Sequence, residues 1–438
     1  MRKQNLKLMV CASAALLFLS LLPASKAHAQ LTARGLGMGG AYTALARGAH
    51  APSWNPANLG LPDNSRWSLT FFSVGARVRN NSFSQDLWDQ YVVGDGSGVH
   101  WSQQDIEDIL SHIPDGGFDA DVGASVRAFS FSVGRFALSF GAEVGSFFRF
   151  DKSFLQMALQ GNAVGERYNM NNTTGQALAL GMVSVSWGQP VRVSFADVFS
   201  VGGTVHLLFP GGYGNVDRAD GYLETTADGF DLDWDYEATY ADLGKMGLGL
   251  DLGAAAQYGD KWTVSMSLAN VMGSLSWSGN VDKQFGFGSG DSLTVFDLSV
   301  EEEGEEDAII DSSWTLEDVG DFSDRMPAIL RLGVSYREGP VLLSADYIQG
   351  FHDSAWIGTT PRFSVGTEYA GLSWLPLRMG VVLGGRMGFG TSFGLGLRPG
   401  GFVLDIGVMN RGFISPKSSK GVIVAVEMGI DLARKHSQ

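Results

Sequence analysis

Cysteine is almost missing from this 438-residue chain. Its single cysteine, Cys11, lies in an N-terminal stretch that reads as a removable leader, so the rest of the chain offers neither a disulfide framework nor a thiolate metal site. Proline is scarce too: 13 residues, which argues against a disordered Pro/Gly chain despite 59 glycines. Beyond the leader there is no run of about 18 apolar residues, so no helix is expected to cross a membrane. Positive charge is in the minority. With 31 Lys and Arg against 46 Asp and Glu the net charge is −15, and no basic stripe offers a face to phosphates, which excludes nucleic acid as a partner. Catalytic signatures are thin. There is no H-E-x-x-H and no phosphate-binding loop, no cofactor is expected, and the chain is not read as an enzyme. Gly35-Leu36-Gly37-Met38-Gly39-Gly40 fits G-x-G-x-x-G, but that motif binds dinucleotides only between a strand and a crossover helix, and here it follows the leader.

What is present begins with that leader. Arg2, Lys3 and Lys7 precede an apolar run from Leu8 to Leu22, Pro23 breaks it, and Ala27-His28-Ala29 supplies a cleavage site, giving a secretory signal over 1–29. Period-two alternation then dominates. Leu248, Leu250 and Leu252 oppose Gly249, Asp251 and Gly253; Trp262, Val264, Met266 and Leu268 oppose Thr263, Ser265, Ser267 and Ala269; Val422, Val424, Val426 and Met428 oppose Ile423, Ala425, Glu427 and Gly429. A soluble sandwich would also alternate. Its outer face, however, is rich in Lys, Glu and Thr, whereas the second face here is Gly, Ser and Ala with isolated charges, as a crowded lumen requires. The apolar face has almost no Lys, consistent with lipid, where a midplane Lys or Arg costs ~2–4 kcal/mol.

About fourteen such segments can be placed, from 67–78, 126–134, 136–148, 177–187, 200–208 and 262–272 through to 421–431. Short turns, such as Gly134-Arg135, Gly259-Asp260 and Glu338-Gly339, alternate with long stretches at 79–125, 149–176, 209–244 and 273–326. Short turns on one side and long loops on the other are the outer-membrane pattern. The fold class is therefore all-β: a transmembrane antiparallel barrel over 67–431, with a basic tail at 432–438. A short helix is expected near 105–113. Trp67, Trp187, Trp262, Tyr336, Tyr347, Tyr369 and Trp374 fall near strand ends, where interfacial girdles form.

The glycine-rich start at Gly35, the stretch Ala41-Tyr42-Thr43-Ala44-Leu45-Ala46, and Trp54-Asn55-Pro56-Ala57-Asn58-Leu59 together resemble the N-terminus of FadL-type outer-membrane transporters, TodX-like members included, and of their PorV-like relatives. The resemblance covers about residues 34–61. It implies a fourteen-stranded barrel whose N-terminal segment, 30–66, folds into the lumen as a plug that contains Gly35, Gly37, Gly39, Gly40, Trp54, Asn55 and Pro56. Many such barrels end on an aromatic residue; this chain departs from that with Ala433-Arg434-Lys435 onward.

Candidate sites follow. Inward-facing Arg331, Asp346, Arg362, Glu368, Arg378 and Asp405 must find partners, since buried charges need them, and are expected to form a ladder holding the plug or a polar conduit. Phe147, Phe148, Phe150 and Phe154 open one long loop and are expected to form a surface that captures a hydrophobic ligand. Asp231, Asp233 and Asp235, with Glu237, alternate along an extended segment as weak calcium candidates, as does the run Glu301–Asp307; the plainer reading of both is a solvated acidic loop. His206 lies in a strand with Thr204, and a lumenal histidine beside a serine could serve a lipase-type triad, although no nucleophile motif is read to support one. The expected function is passive uptake of a hydrophobic small molecule, of fatty-acid or hydrocarbon class, across a bacterial outer membrane whose lipid and lipopolysaccharide surround the barrel. The alternative is a scaffold or secretion-machine subunit of the PorV-like type with a protein partner. A third class, an outer-membrane hydrolase, predicts a Ser/His/acid cluster within hydrogen-bond reach.

Overall fold

The computed structural model describes residues 32–93, 101–293, 310–413, 415 and 417–432. The leader, the acidic run 301–307 and the residues after Leu432 lie outside them. Fourteen long strands form the wall: β1 Trp67–Asn80, β2 Phe118–Val133, β3 Phe136–Phe150, β5 Thr174–Val191, β6 Val198–Thr225, β8 Gly247–Tyr258, β9 Trp262–Leu293, β12 Ile329–Glu338, β13 Val341–Gly350, β14 Arg362–Tyr369, β15 Leu377–Gly384, β16 Gly388–Leu397, β17 Phe402–Arg411 and β18 Gly421–Leu432. Each pairs antiparallel with the next. β1 also pairs with β18, from Trp67 opposite Leu432 to Arg79 opposite Gly421, so the sheet closes on itself and has no free edge.

The wall is inside-out relative to a soluble protein. Leu248 is 63% exposed and Met266 49%, while Ser265 and Ser267 on the other face are 2% and 1% exposed. Such an apolar belt is stable only against lipid. Trp262 packs on Tyr336 at 4.7 Å between ring centres near the short-turn rim, where Trp187, Tyr369 and Trp374 are also half exposed. Two of the short turns rest on glycine in the left-handed region, Gly134 at φ +56° and Gly259 at φ +58°.

The fourteen expected wall segments all form, but several run further than the lipid pattern indicates. The segment expected at 126–134 starts at Phe118, that at 200–208 continues to Thr225, and that at 262–272 continues to Leu293. The stretches 209–244 and 273–326, expected as loops, are therefore largely strand. There β7 Phe230–Lys245 pairs with the far halves of β6 and β9, and the short strands β4 Arg167–Asn169, β10 Ile310–Leu316 and β11 Phe322–Arg325 add to the same crown. Beyond the lipid one face meets water and the other packs Leu275, Trp277 and Val281 into a buried cluster, so the apolar/small alternation that reveals the wall disappears while the pairing continues. Helix Gln103–Ser111 forms in the first long loop, with Ser102 and Asp105 making a reciprocal capping box.

Two of the wall's register breaks lie side by side. In β1 the register against β18 shifts between Thr70 and Phe72, so Phe71 is an extra residue; in β2 the register against β3 shifts between Arg127 and Phe129, so Ala128 is extra. The two bulges face each other, because β1 and β2 keep one register on both sides of them, Thr70 opposite Ser130 and Ser73 opposite Arg127. The strand carrying each bulge loses a ladder step there.

Candidate functional site

Residues 32–66 lie inside the ring, toward the short-turn end. Helix α1 Ala33–Gly37 is capped by the Thr32 hydroxyl, which accepts the Gly35 N–H at 3.2 Å; α2 Ala51–Trp54 and a 3-10 turn over Pro56–Gly60 follow. Apolar Met38, Tyr42, Trp54 and Leu59 are at most 4% exposed. The Asn55 side chain bridges segment and wall: its oxygen accepts the Ala57 N–H at 3.0 Å and its amide donates to the carbonyls of Ala254 at 2.9 Å and Met266 at 3.2 Å. Wall hydroxyls complete the fit, Ser267 donating to the Trp54 carbonyl at 2.7 Å and Ser265 to the Asn58 side-chain oxygen at 3.0 Å. Backbones touch directly where wall and segment both carry glycine: a Cβ on Gly37 would sit 2.8 Å from the Cα of Gly394. Gly366 meets the Met38 carbonyl in the same way, and Gly380 the Gly39 backbone.

The six expected lumenal charges separate into two groups. Arg378 donates to Glu368 and to Asp405, each at 2.6 Å; Arg34 of the segment adds a fork to Glu368 at 2.7 and 2.8 Å, and Arg398 reaches Asp405 at 2.6 Å. Asp346 accepts the backbone N–H groups of Tyr42 at 3.1 Å and Thr43 at 2.8 Å. Arg331 and Arg362 instead line a cavity. A further anchor, unseen in the sequence, joins His50 of the segment to Glu427 of β18. At the short-turn rim Asp63 accepts a fork from Arg47, both bonds 2.9 Å, and a hydrogen bond from Gln257 of β8 at 2.9 Å. Burial alone would raise the Asp63 carboxyl, but the Arg47 guanidinium outweighs it and holds the group below the usual carboxylate range.

That cavity, of about 250 Å³, occupies the lumen above the segment. Trp54, Met182, Ile329, Ile348 and Ile357 supply apolar wall; Arg77, Arg79, Arg127, Arg331 and Arg362 bring five guanidinium groups, against the carboxylates of Glu143 and Asp251. Arg77 and Arg79 share Asp121, Arg77 at 2.6 Å. Arg79 Nε, Arg127 Nη1 and Arg362 Nε have no hydrogen-bond partner among the described residues. On the outer side the loop after β13 dips inward: the buried Ala355 donates its N–H to Gln176 at 2.7 Å and accepts from Arg77 at 3.1 Å, while Trp356 lies against Gly145. The lining also includes Val126, Phe140 and Ala142, residues of the lipid-facing set at the β2 bulge. On the far wall Ser184, His206 and Asp251 stand in one row: Ser184 Oγ lies 2.7 Å from His206 Nδ1, and His206 Nε2 lies 3.0 Å from Asp251 Oδ2.

Three expectations need correction. Phe147, Phe148, Phe150 and Phe154 do not share a surface, because the first three sit in β3, where neighbours alternate: the Phe147 ring lies under the Arg386 guanidinium at 3.9 Å, Phe148 packs over Gly175, and Phe154 belongs to the helix Lys152–Gln160. Asp231, Asp233 and Asp235 do share a face of β7, with same-face neighbours about 6.6 Å apart along the backbone, but they do not form a cation site. Asp235 is paired with Arg218 at 2.7 Å, and among the described residues no group of three possible ligands converges on a metal position. Finally, no nucleophile signature is expected, yet Gly390-Thr391-Ser392-Phe393-Gly394 does match G-x-S-x-G. It lies along β16 rather than on a strand-to-helix turn, and its serine donates to the Gly37 carbonyl at 3.1 Å, so it is an anchor for the N-terminal segment.

With this geometry in view, comparison with known proteins places the chain. Residues 56–408 match the family described as "Family of unknown function (DUF5723)". The chain belongs to that family. No curated protein matches it in sequence. Among solved structures it is similar to the toluene transporter TodX of Pseudomonas putida, at 12% identity and a TM-score of 0.50, covering 93% of this chain and 99% of that one. It is also similar to the toluene transporter TbuX of Ralstonia pickettii, at 16% identity and 0.49 over 92% and 98%, and to a FadL homologue of Pseudomonas aeruginosa, at 13% and 0.49 over 94% and 99%. At these identities the likeness is one of fold: this DUF5723 member is a closed fourteen-stranded barrel of FadL type.

Proposed function

We propose that this DUF5723 protein sits in the outer membrane of a Gram-negative bacterium and passively admits a hydrophobic small molecule with an acidic head, of fatty-acid class. The observation that carries the reading is the cavity: apolar walls beside five arginines, three of them with an unpartnered buried N–H. A buried N–H without a partner is costly, and the oxygens of an anionic head group would satisfy it. The related fold of a toluene transporter supports uptake of hydrophobic compounds, and the arginine excess favours an acid over a neutral hydrocarbon. The N-terminal segment acts as the plug below the cavity. The facing bulges at Phe71 and Ala128 interrupt the ladder at the level where the cavity reaches lipid-facing Val126 and Phe140, which favours release sideways at this point of the wall.

The test is titration of the purified mature barrel, in detergent, with decanoate and with decanol, followed by the fluorescence of Trp54 and Trp356. Decanoate should bind more tightly, and Arg127→Ala with Arg362→Ala should erase that preference by about tenfold or more, as loss of charge-assisted bonds implies. Tighter decanol binding would turn the assignment to the hydrocarbon class. Binding of neither, with a protein retained in native mass spectrometry, would favour the scaffold role instead.

A further inference from the structure

The row Ser184, His206 and Asp251 is more than the wall needs. Ser184 of β5 and His206 of β6 are direct cross-strand partners, and Asp251 of β8 lies one diagonal step away, its own partner being Thr204. Gly249 stands opposite His206, and its missing side chain leaves the imidazole room to lean toward Asp251. The second Asp251 oxygen accepts the backbone N–H of Asn270 at 2.7 Å, which fixes the carboxylate. One rung away the same two strands are satisfied by two hydroxyls alone, Ser186 and Thr204 at 2.8 Å. Hydroxyl pairing therefore suffices at that rung; Asp251 also balances the buried Arg331, but the added contact of its carboxylate with His206, and of His206 with Ser184, is one that hydroxyl pairing does not need.

We propose that Ser184, His206 and Asp251 form a serine-hydrolase centre that cleaves carboxylic esters of hydrophobic acids within the lumen. The inference rests on the uptake reading for the arrival of an amphipathic ligand in this cavity. The proton inventory suits the role. An ionised carboxylate only accepts, so the Asp251 contact places the imidazole hydrogen on Nε2 and leaves Nδ1 bare toward the Ser184 hydroxyl. The two ring nitrogens are exchanged relative to the serine-protease arrangement, with Nδ1 toward the hydroxyl and Nε2 toward the carboxylate, and the roles of base and held nitrogen exchange with them. In the first step Ser184 Oγ attacks the ester carbonyl carbon and its proton passes to His206 Nδ1. The bond from that carbon to the alkoxy oxygen then breaks, and the Nδ1 proton leaves with the alcohol. A water molecule attacks the acyl-serine by the same route, its proton passing to Nδ1 and then to Ser184 Oγ, and the acid is released. The sum is ester plus water giving alcohol plus acid. Arg127, which lines the same cavity and has a buried Nη1 without a hydrogen-bond partner among the described residues, brings positive charge for a tetrahedral oxyanion and a carboxylate product.

The experiment uses the purified full barrel in detergent with a fluorophosphonate probe and p-nitrophenyl decanoate. The expected result is one phosphonate per barrel, mapped by peptide mass spectrometry to Ser184, and ester hydrolysis that falls about 100-fold or more in Ser184→Ala, as loss of a nucleophile implies. Ser186→Ala, one rung away, should keep both signals. Asp251→Asn should lower the hydrolysis rate, because the imidazole tautomer is then no longer fixed. Wild-type barrel that is folded by its electrophoretic heat-modifiability, yet takes no phosphonate on Ser184 or hydrolyses the ester no faster than buffer, overturns the proposal. The decanoate titration reads the uptake proposal separately: binding without hydrolysis refutes only the triad, and absence of binding refutes the cavity's role in uptake.

Discussion

Inside a barrel lumen a charge cannot turn to water at will, and Asp405 shows how the chain answers this. It is fully buried and accepts from both Arg378 and Arg398. Asp405→Ala leaves two guanidinium groups short of a partner, and breaking a buried pair costs about 3–5 kcal/mol. The expected outcome is a lower urea midpoint for the folded form, read as the change in electrophoretic mobility that barrels show on unfolding. Asp63 behaves differently because it stands half exposed at the rim. Its carboxyl is held below the unfolded value, so its stabilising effect is complete above about pH 4, the ordinary value, and is lost as pH falls through the folded one. Asp63→Asn should remove that part of the acid sensitivity, measured as the pH at which protease first reaches residues 47–66. Of the polar row on the far wall, only His206 was singled out from the sequence. Ser184 and Asp251 were not, because which residues meet across strands depends on register, and a one-residue slip would turn each of them outward.

At the scale of elements, lipid writes the wall into the sequence. Val422 to Met428 and Trp262 to Leu268 show their membrane face residue by residue, so β18 is legible at both ends and β9 at its start. The crown is not. Along β7, Asp231, Asp233 and Asp235 share one face while Leu232, Trp234 and Tyr236 share the other, a pattern that also fits a solvated loop, and only pairing with β6 and β9 decides it. The N-terminal segment was legible in its turn residues but not in its seat, since the glycines that accommodate it are scattered over distant strands. Gly366→Ala tests this seat: the new methyl meets the Met38 carbonyl, and the segment should become accessible to protease while the wall stays folded. The facing bulges belong to this scale too. Deleting Phe71 and Ala128 together restores an unbroken ladder from β18 to β3. Uptake into cells should fall with decanoate affinity unchanged; unaltered uptake would exclude sideways release.

For the whole molecule, the net charge of −15 and the arginine-lined interior point in opposite directions. Acidic groups gather in the crown, where water screens them, and guanidinium groups gather where a ligand would rest. Removing residues 34–61 should turn the barrel into an open pore, seen as a large steady conductance in planar bilayers that the intact protein lacks. The same deletion would leave Asp346, Glu368 and Glu427 without the segment groups that now meet them. That dependence bears on assembly. The segment is made first and the strand that seals the ring, β18, is made last. Glu427 lies on that final strand and reaches inward to His50, so the seam has a latch as well as a ladder. Closure around an interior not yet in place would leave Glu427 to its wall neighbours, without the His50 contact. A ring that already holds its own N-terminus is thus expected to shut more stably at the β1–β18 joint than one that does not.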